Sequence, residues 1–147
     1  FSVQEEVGGL GAMTAAFGLS PDVCLAVDVG FASFPGQNGH LLEMGKGAGI
    51  SFSDTLSRSL AEEILHIATQ EHIPYQLLAE PGETGTNAHE VQVTGRGIPS
   101  AVISIPLSYM HSPSEVVSLE DLNRTAELLC AYCCFAESFP KEVTLVG

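Results

Sequence analysis

The chain has 147 residues, 45% hydrophobic and 16% charged, which suits one folded domain and excludes a disordered polar segment. Five Lys+Arg against 18 Asp+Glu leave a formal net charge of −13. That sign repels nucleic-acid phosphates and anionic membranes but suits metal ions and ammonium groups, and no apolar run approaches the roughly 20 residues that span a bilayer.

In chain order, Phe1-Ser2-Val3 reads as the end of a strand already under way. With no initiator Met and no signal segment, the chain is expected to begin inside a longer protein. Residues 8–17 read as a short helix of small residues, closed by Gly18 and Pro21. Residues 23–29 (VCLAVDV) form a near-continuous apolar run of strand length, as expected of a strand buried on both faces. A glycine-rich excursion at 31–49 carries an expected edge strand at 40–44.

Leu56, Leu60, Ile64 and Ile67 recur at helical spacing from Asp54 to just before Pro74. Residues 75–79 predict a short strand, and 87–93 a helical turn after the loop Gly82-Glu83-Thr84-Gly85. Residues 101–105 (AVISI) predict a buried strand stopped by Pro106. Ser118-Leu119-Glu120-Asp121 has capping-box form with Asp in place of Glu. It opens a helix whose apolar positions are Leu119, Leu122, Ala126, Leu129 and Cys133. A last strand is expected at 142–146. Strands alternating with helices imply an α/β fold, a three-layer α/β/α arrangement around a mostly parallel sheet.

Functional groups in such sheets gather at the carboxyl ends of strands. Glu5-Glu6 follow the first strand, Asp28 ends the second, and His111 lies in the loop after AVISI. Two glutamates, an aspartate and a histidine are ligands suited to Zn²⁺, Co²⁺ or Mn²⁺. Each also has a plainer reading: a solvated acidic turn, a local cap, a loop histidine.

Other signals fail. Gly9-Leu10-Gly11 has Thr14 where a dinucleotide-binding loop needs its third glycine, and two carboxylates beside it would repel a pyrophosphate. Gly45-Lys46-Gly47 lacks P-loop spacing, and His89-Glu90 has Val93 in place of the second histidine of a zinc-protease helix. No G-x-S-x-G elbow exists. The cysteines are Cys24, Cys130, Cys133 and Cys134, three of them crowded together, which is no disulfide framework and points to a reducing cytoplasm. Cys130-Ala131-Tyr132-Cys133 has no second pair and reads as core packing in the last helix.

Ser2-Val3-Gln4-Glu5-Glu6-Val7-Gly8 with Gly11-Ala12 resembles the catalytic-glutamate motif of the tetrahedral (TET-type) aminopeptidases. That family includes glutamyl aminopeptidases and proteins called endoglucanase or FrvX. Ala26-Val27-Asp28-Val29, Pro35-Gly36, Gly45-Lys46-Gly47, Ile73-Pro74-Tyr75-Gln76, residues 84–88 (TGTNA) and 105–113 (IPLSYMHSP) follow in the family's order. The resemblance implies a zinc-exopeptidase-like catalytic domain using two divalent ions, Zn or Co. It implies Glu5 as general base, Glu6 and His111 as ligands of one metal and Asp28 as terminal ligand of the other. Thr86, Asn87 and Ser108 would contact substrate.

Three positions depart from the family pattern. Ser108 replaces the arginine of Arg-Tyr-Met-His, Asn87 stands where Asp is common, and Asp28-Val29 lacks a following Thr. Family members also carry a histidine ligand, a bridging aspartate and a dimerisation domain before the glutamate motif. Residues 1–147 are therefore expected to be the carboxyl-terminal part of a catalytic domain, inactive alone. The resemblance implies peptide substrates and a homo-oligomer, possible as a dodecamer, in the complete protein. A non-catalytic relative lacking the metal pair is the alternative. A glycosidase fits worse, because its two carboxyls flank a sugar from roughly 5–9.5 Å apart and are not chain neighbours.

Overall fold

The computed structural model describes residues 1–36 and 41–137. A one-turn 3-10 helix at Glu5–Val7 precedes α1 (Leu10–Leu19), β1 (Cys24–Phe31), β2 (Ala48–Phe52) and α2 (Arg58–Gln70). Then come β3 (Tyr75–Ala79), α3 (Asn87–Val91), β4 (Ser100–Ser108), β5 (Val116–Val117) and α4 (Leu119–Glu137). The strand expected at 142–146 lies outside the described residues, as does His40. What remains of the strand expected at 40–44 is a single bridge from Leu42 to Ala32.

One sheet runs in the order β1-β4-β2-β3, with β5 on β4. Its long ladders are parallel: β1 with β4 from Cys24↔Ser100 to Phe31↔Leu107, and β2 with β3 from Ala48↔Tyr75 to Phe52↔Ala79. The antiparallel joins of β2 to β4 and of β4 to β5 are short. Neighbouring strand residues point to opposite faces. Ile103 accordingly packs with Ile50 against Leu60, Ile64 and Ile67 of α2 and Leu128 and Tyr132 of α4. Val102, on the other face, packs with Ala26 and Ala88 of α3. Ala16 of α1 packs with Val91 and Ile98 in turn. The result is three layers, α/β/α. Burying Leu60, Ile64 and Ile67 contributes about 1.5–3 kcal/mol each.

Four expectations need correction. Residues 1–3 form no strand; the Val3 carbonyl instead accepts from the Gly11 N–H at 3.0 Å, and a side chain at Gly11 would collide with the Val3 backbone. β1 is not buried on both faces: Val27, Val29 and Phe31, which share one face by strand alternation, are exposed. β4 does not stop at Pro106. Leu107 turns its carbonyl to β1, accepting from Ala32, so alternation turns Pro106 toward the other side. There the ladder to β2 has ended at Ser104 and that to β5 starts at Leu107, so the missing N–H is tolerated.

The fourth correction is the face of α4. Leu119 and Leu122 are exposed, while Asp121, Thr125, Leu128 and Tyr132 are buried. Asp121 reaches away from its own helix: its carboxylate accepts from the Gly45 N–H at 2.6 Å and the Gly47 N–H at 2.8 Å. Thr125 donates to the Asp121 carbonyl at 2.9 Å. Only half of the capping box forms, Ser118 Oγ accepting from the Asp121 N–H at 3.3 Å. The rotation exposes Cys130, Cys133 and Cys134, so they are not core residues. No helix among the described residues is long and apolar enough to cross a membrane.

Candidate active site

Glu5 and Glu6 occupy the single 3-10 turn, bounded by Gln4 (φ 61°) and Gly8 (φ 104°), both left-handed. The Glu5 carbonyl accepts from the N–H groups of Gly8 and Gly9 at 3.1 and 3.0 Å, which closes the turn. Two adjacent carboxylates are thus held on a short rigid step before α1. Asp28 lies near the carboxyl end of β1, beside Ser104 of β4, and its Oδ1 accepts from the Val29 N–H at 2.7 Å. His111 follows β4 in a loop where Tyr109 (φ 59°) and His111 (φ 62°) are both left-handed. Glu115 Oε1 accepts from the His111 N–H at 2.7 Å, and the Phe31 ring meets the imidazole edge-on at 6.2 Å.

Five non-glycine residues among those described have positive φ, and three of them, Gln4, Tyr109 and His111, flank or are candidate residues. Such backbone costs of order 1 kcal/mol or more and persists where surrounding contacts enforce it, typically at functional sites.

These segments meet at one cavity of about 540 Å³, lined by Glu5, Glu6, Asp28 and His111 together. Burial holds the Glu5 carboxyl above its ordinary pKa, and the neighbouring charges of Asp28, Glu6 and Glu90 push it the same way. A group so placed takes up a proton more readily than an isolated glutamate. The donor set, carboxylates with one imidazole, suits a borderline divalent ion. Among the described residues no three His, Cys, Asp or Glu side chains are grouped closely enough to hold an ion by themselves.

Of the expected substrate contacts, only Thr86 lines the cavity. Its hydroxyl caps α3, accepting from the Ala88 N–H at 3.3 Å, and lies 3.0 Å from that of Thr84. Asn87 and Ser108 do not line it. Asn87 donates to Ser2 Oγ at 3.2 Å, tying the first residues to α3, and Ser108 donates to the Ser33 carbonyl at 3.2 Å. Sequence reasoning missed Glu80 and Glu83, which also line the cavity. Glu80 directly follows β3, so the strand-end rule that selected Asp28 applies to it as well.

Residues 1–128 match the family model described as M42 glutamyl aminopeptidase. The chain is 38% identical over 128 residues to a lysyl aminopeptidase of Pyrococcus furiosus, covering 86% of this chain and 37% of that protein. Among solved structures, an aminopeptidase of the archaeon Desulfurococcus kamchatkensis superposes with a TM-score of 0.81 at 38% identity, over 89% of this chain and 39% of the other. A Pyrococcus horikoshii TET1 peptidase, which can assemble into a tetrahedron or a large octahedral shell, superposes with a TM-score of 0.73 at 32% identity. That match covers 90% of this chain and 39% of the other. The chain spans about two fifths of the length of the relatives it matches.

Proposed function

Because the chain belongs to the M42 glutamyl aminopeptidase family, we propose that it forms the carboxyl-terminal part of the catalytic domain of a metal-dependent aminopeptidase. In this reading Glu5 is the general base, and Glu6, Asp28 and His111 hold two divalent ions, zinc or cobalt. The remaining ligands come from outside the described residues. When bound, the ions supply Lewis acidity and lower the pKa of water at the site.

The chain's own part is to position and to move a proton. The left-handed residues on either side of the Glu5–Glu6 turn let neighbouring carboxylates serve different tasks. Glu5 takes the proton of the attacking water and returns it to the departing amine. An acidic cavity also attracts the free ammonium of a peptide amino terminus. Substrates are peptides shortened from that end, and the complete protein works as a homo-oligomer, as the tetrahedral and octahedral assemblies of its relative suggest.

The observation that carries this reading is the meeting of Glu5, Glu6, Asp28 and His111, from three distant stretches of chain, at one cavity. One observation favours the alternative, a relative that keeps the fold without a working metal pair: the described residues offer no complete ligand group. Metal analysis of the complete protein, with an aminopeptidase assay in Zn²⁺ or Co²⁺, separates the two. Two bound ions and turnover are expected. A protein that takes up no divalent ion and releases no amino-terminal residue would be the non-catalytic relative.

A further inference from the structure

We propose, resting on the aminopeptidase reading, that Glu80 directs the site toward peptides whose first residue carries a basic side chain, lysine or arginine. Glu80 is fixed at the end of β3, where its N–H donates to the Phe52 carbonyl at 2.9 Å. With Ala79 and Pro81 it forms a strip shared by the site cavity and a second cavity of about 740 Å³ beside it. Its Oε2 is shielded from solvent and has no hydrogen-bond partner among the described residues.

Ser51 Oγ lies in the same condition, on a residue with no solvent exposure, and lines the second cavity together with Glu80. A buried polar atom left unpaired costs about 1–3 kcal/mol, more when charged, so two of them on one space call for a donor-rich group. An ammonium brings three N–H donors and a guanidinium five, each with the charge that a carboxylate needs.

The path from the reacting end to Glu80 suits the rest of such a side chain. Leu41, Leu78 and Ala79 give the site cavity an apolar wall against which a chain of methylenes can lie. Among the described residues no lysine or arginine lines that cavity. In the second cavity Arg58 is already held by Glu62 at 2.8 Å. Glu83 also lines the site cavity and adds a further carboxylate to it. An acidic first residue meets like charge throughout, and a neutral one leaves Glu80 unpaired.

The test compares kcat/KM of the complete, metal-loaded enzyme on Lys-, Arg-, Leu- and Glu-p-nitroanilide, for the parent sequence and for Glu80→Gln and Glu80→Asp. Calorimetric binding of L-lysinamide and L-leucinamide gives a readout that needs no turnover. The expected result is a preference for Lys and Arg. Glu80→Gln should lower the Lys-to-Leu ratio about 10- to 100-fold, the range for one hydrogen bond to a charged group. It should act mainly through KM, with part of the ratio recovered in Glu80→Asp. An unchanged ratio, an equal fall on every substrate, or a parent enzyme that prefers Glu-p-nitroanilide would overturn the assignment. No turnover on any substrate, with Glu80-dependent lysinamide binding retained, would contradict the aminopeptidase reading and leave the subsite standing.

Discussion

The carboxylate of Asp121 accepts a hydrogen bond from the Gly47 N–H at 2.8 Å, joining positions 74 apart in the chain. Its second oxygen takes the Gly45 N–H at 2.6 Å. One buried side chain at the start of α4 thus pins the loop that leads into β2. The same bonds explain why Gly45-Lys46-Gly47 is no phosphate cradle: an internal carboxylate already occupies its amides. Gly47 also sits against the Pro74 backbone with φ 92°, where a side chain has no room.

Asp121→Asn should therefore destabilise the chain by about 2–3 kcal/mol, because one oxygen becomes a donor facing an N–H and the other loses its charge. Urea unfolding of the two proteins measures the difference. A loss below about 0.5 kcal/mol would mean that the loop holds its shape without this carboxylate.

Thiol accessibility checks the orientation of α4. Cys130, Cys133 and Cys134 are exposed, whereas Cys24 is partly buried and its thiol is pushed up by burial, against a lowering hydrogen bond with Ser100. Ellman's reagent should find three fast thiols and one slow one in the native chain. Three slow thiols would restore the core reading of the Cys130–Cys133 pair.

The amino-terminal third presents an apolar surface. Leu10, Met13 and Phe17 recur along α1, Phe17 being 72% exposed, and Val27, Val29 and Phe31 alternate along β1. Exposed apolar side chains on both faces, with β1 at the sheet edge among the described residues, favour association. Residues 1–147 alone should bind anilinonaphthalene sulfonate and sediment as more than a monomer at micromolar concentration. A monodisperse monomer with no dye enhancement would show that this surface is tolerated in water.

Helix α2 and strand β3 were legible because their signals are local: Leu60, Ile64 and Ile67 repeat at helical spacing, and 75–79 is bounded by Pro74 and a glycine loop. The face of α4 was not. Leu119, Leu122, Ala126, Leu129 and Cys133 make the better apolar stripe, but Asp121 and Thr125 turn inward to bond partners that no local pattern reveals. At the site, only His111 follows a strand as the strand-end rule expects. Among the described residues Glu5 sits in a 3-10 turn with no strand before it, and Asp28 lies three residues before the end of β1, yet all three line one cavity. Ser108 was singled out by its place in a motif; its hydroxyl donates to the Ser33 carbonyl, a partner that no local pattern reveals. Glu80 directly follows the legible strand at 75–79 and was within reach of the strand-end rule, but only the cavity walls show that it belongs to the site.

The central claim is that neighbouring Glu5 and Glu6 do different work, and the direct measurement is metal content alongside kcat for Glu5→Gln and Glu6→Gln in the complete enzyme. Glu5→Gln should keep nearly all of its metal while kcat falls by about 10²–10⁴, the range for losing a general base. Glu6→Gln, like His111→Ala, should lose metal. Equal metal loss in the Glu5 and Glu6 variants, or a Glu5→Gln enzyme with undiminished kcat, would contradict the account.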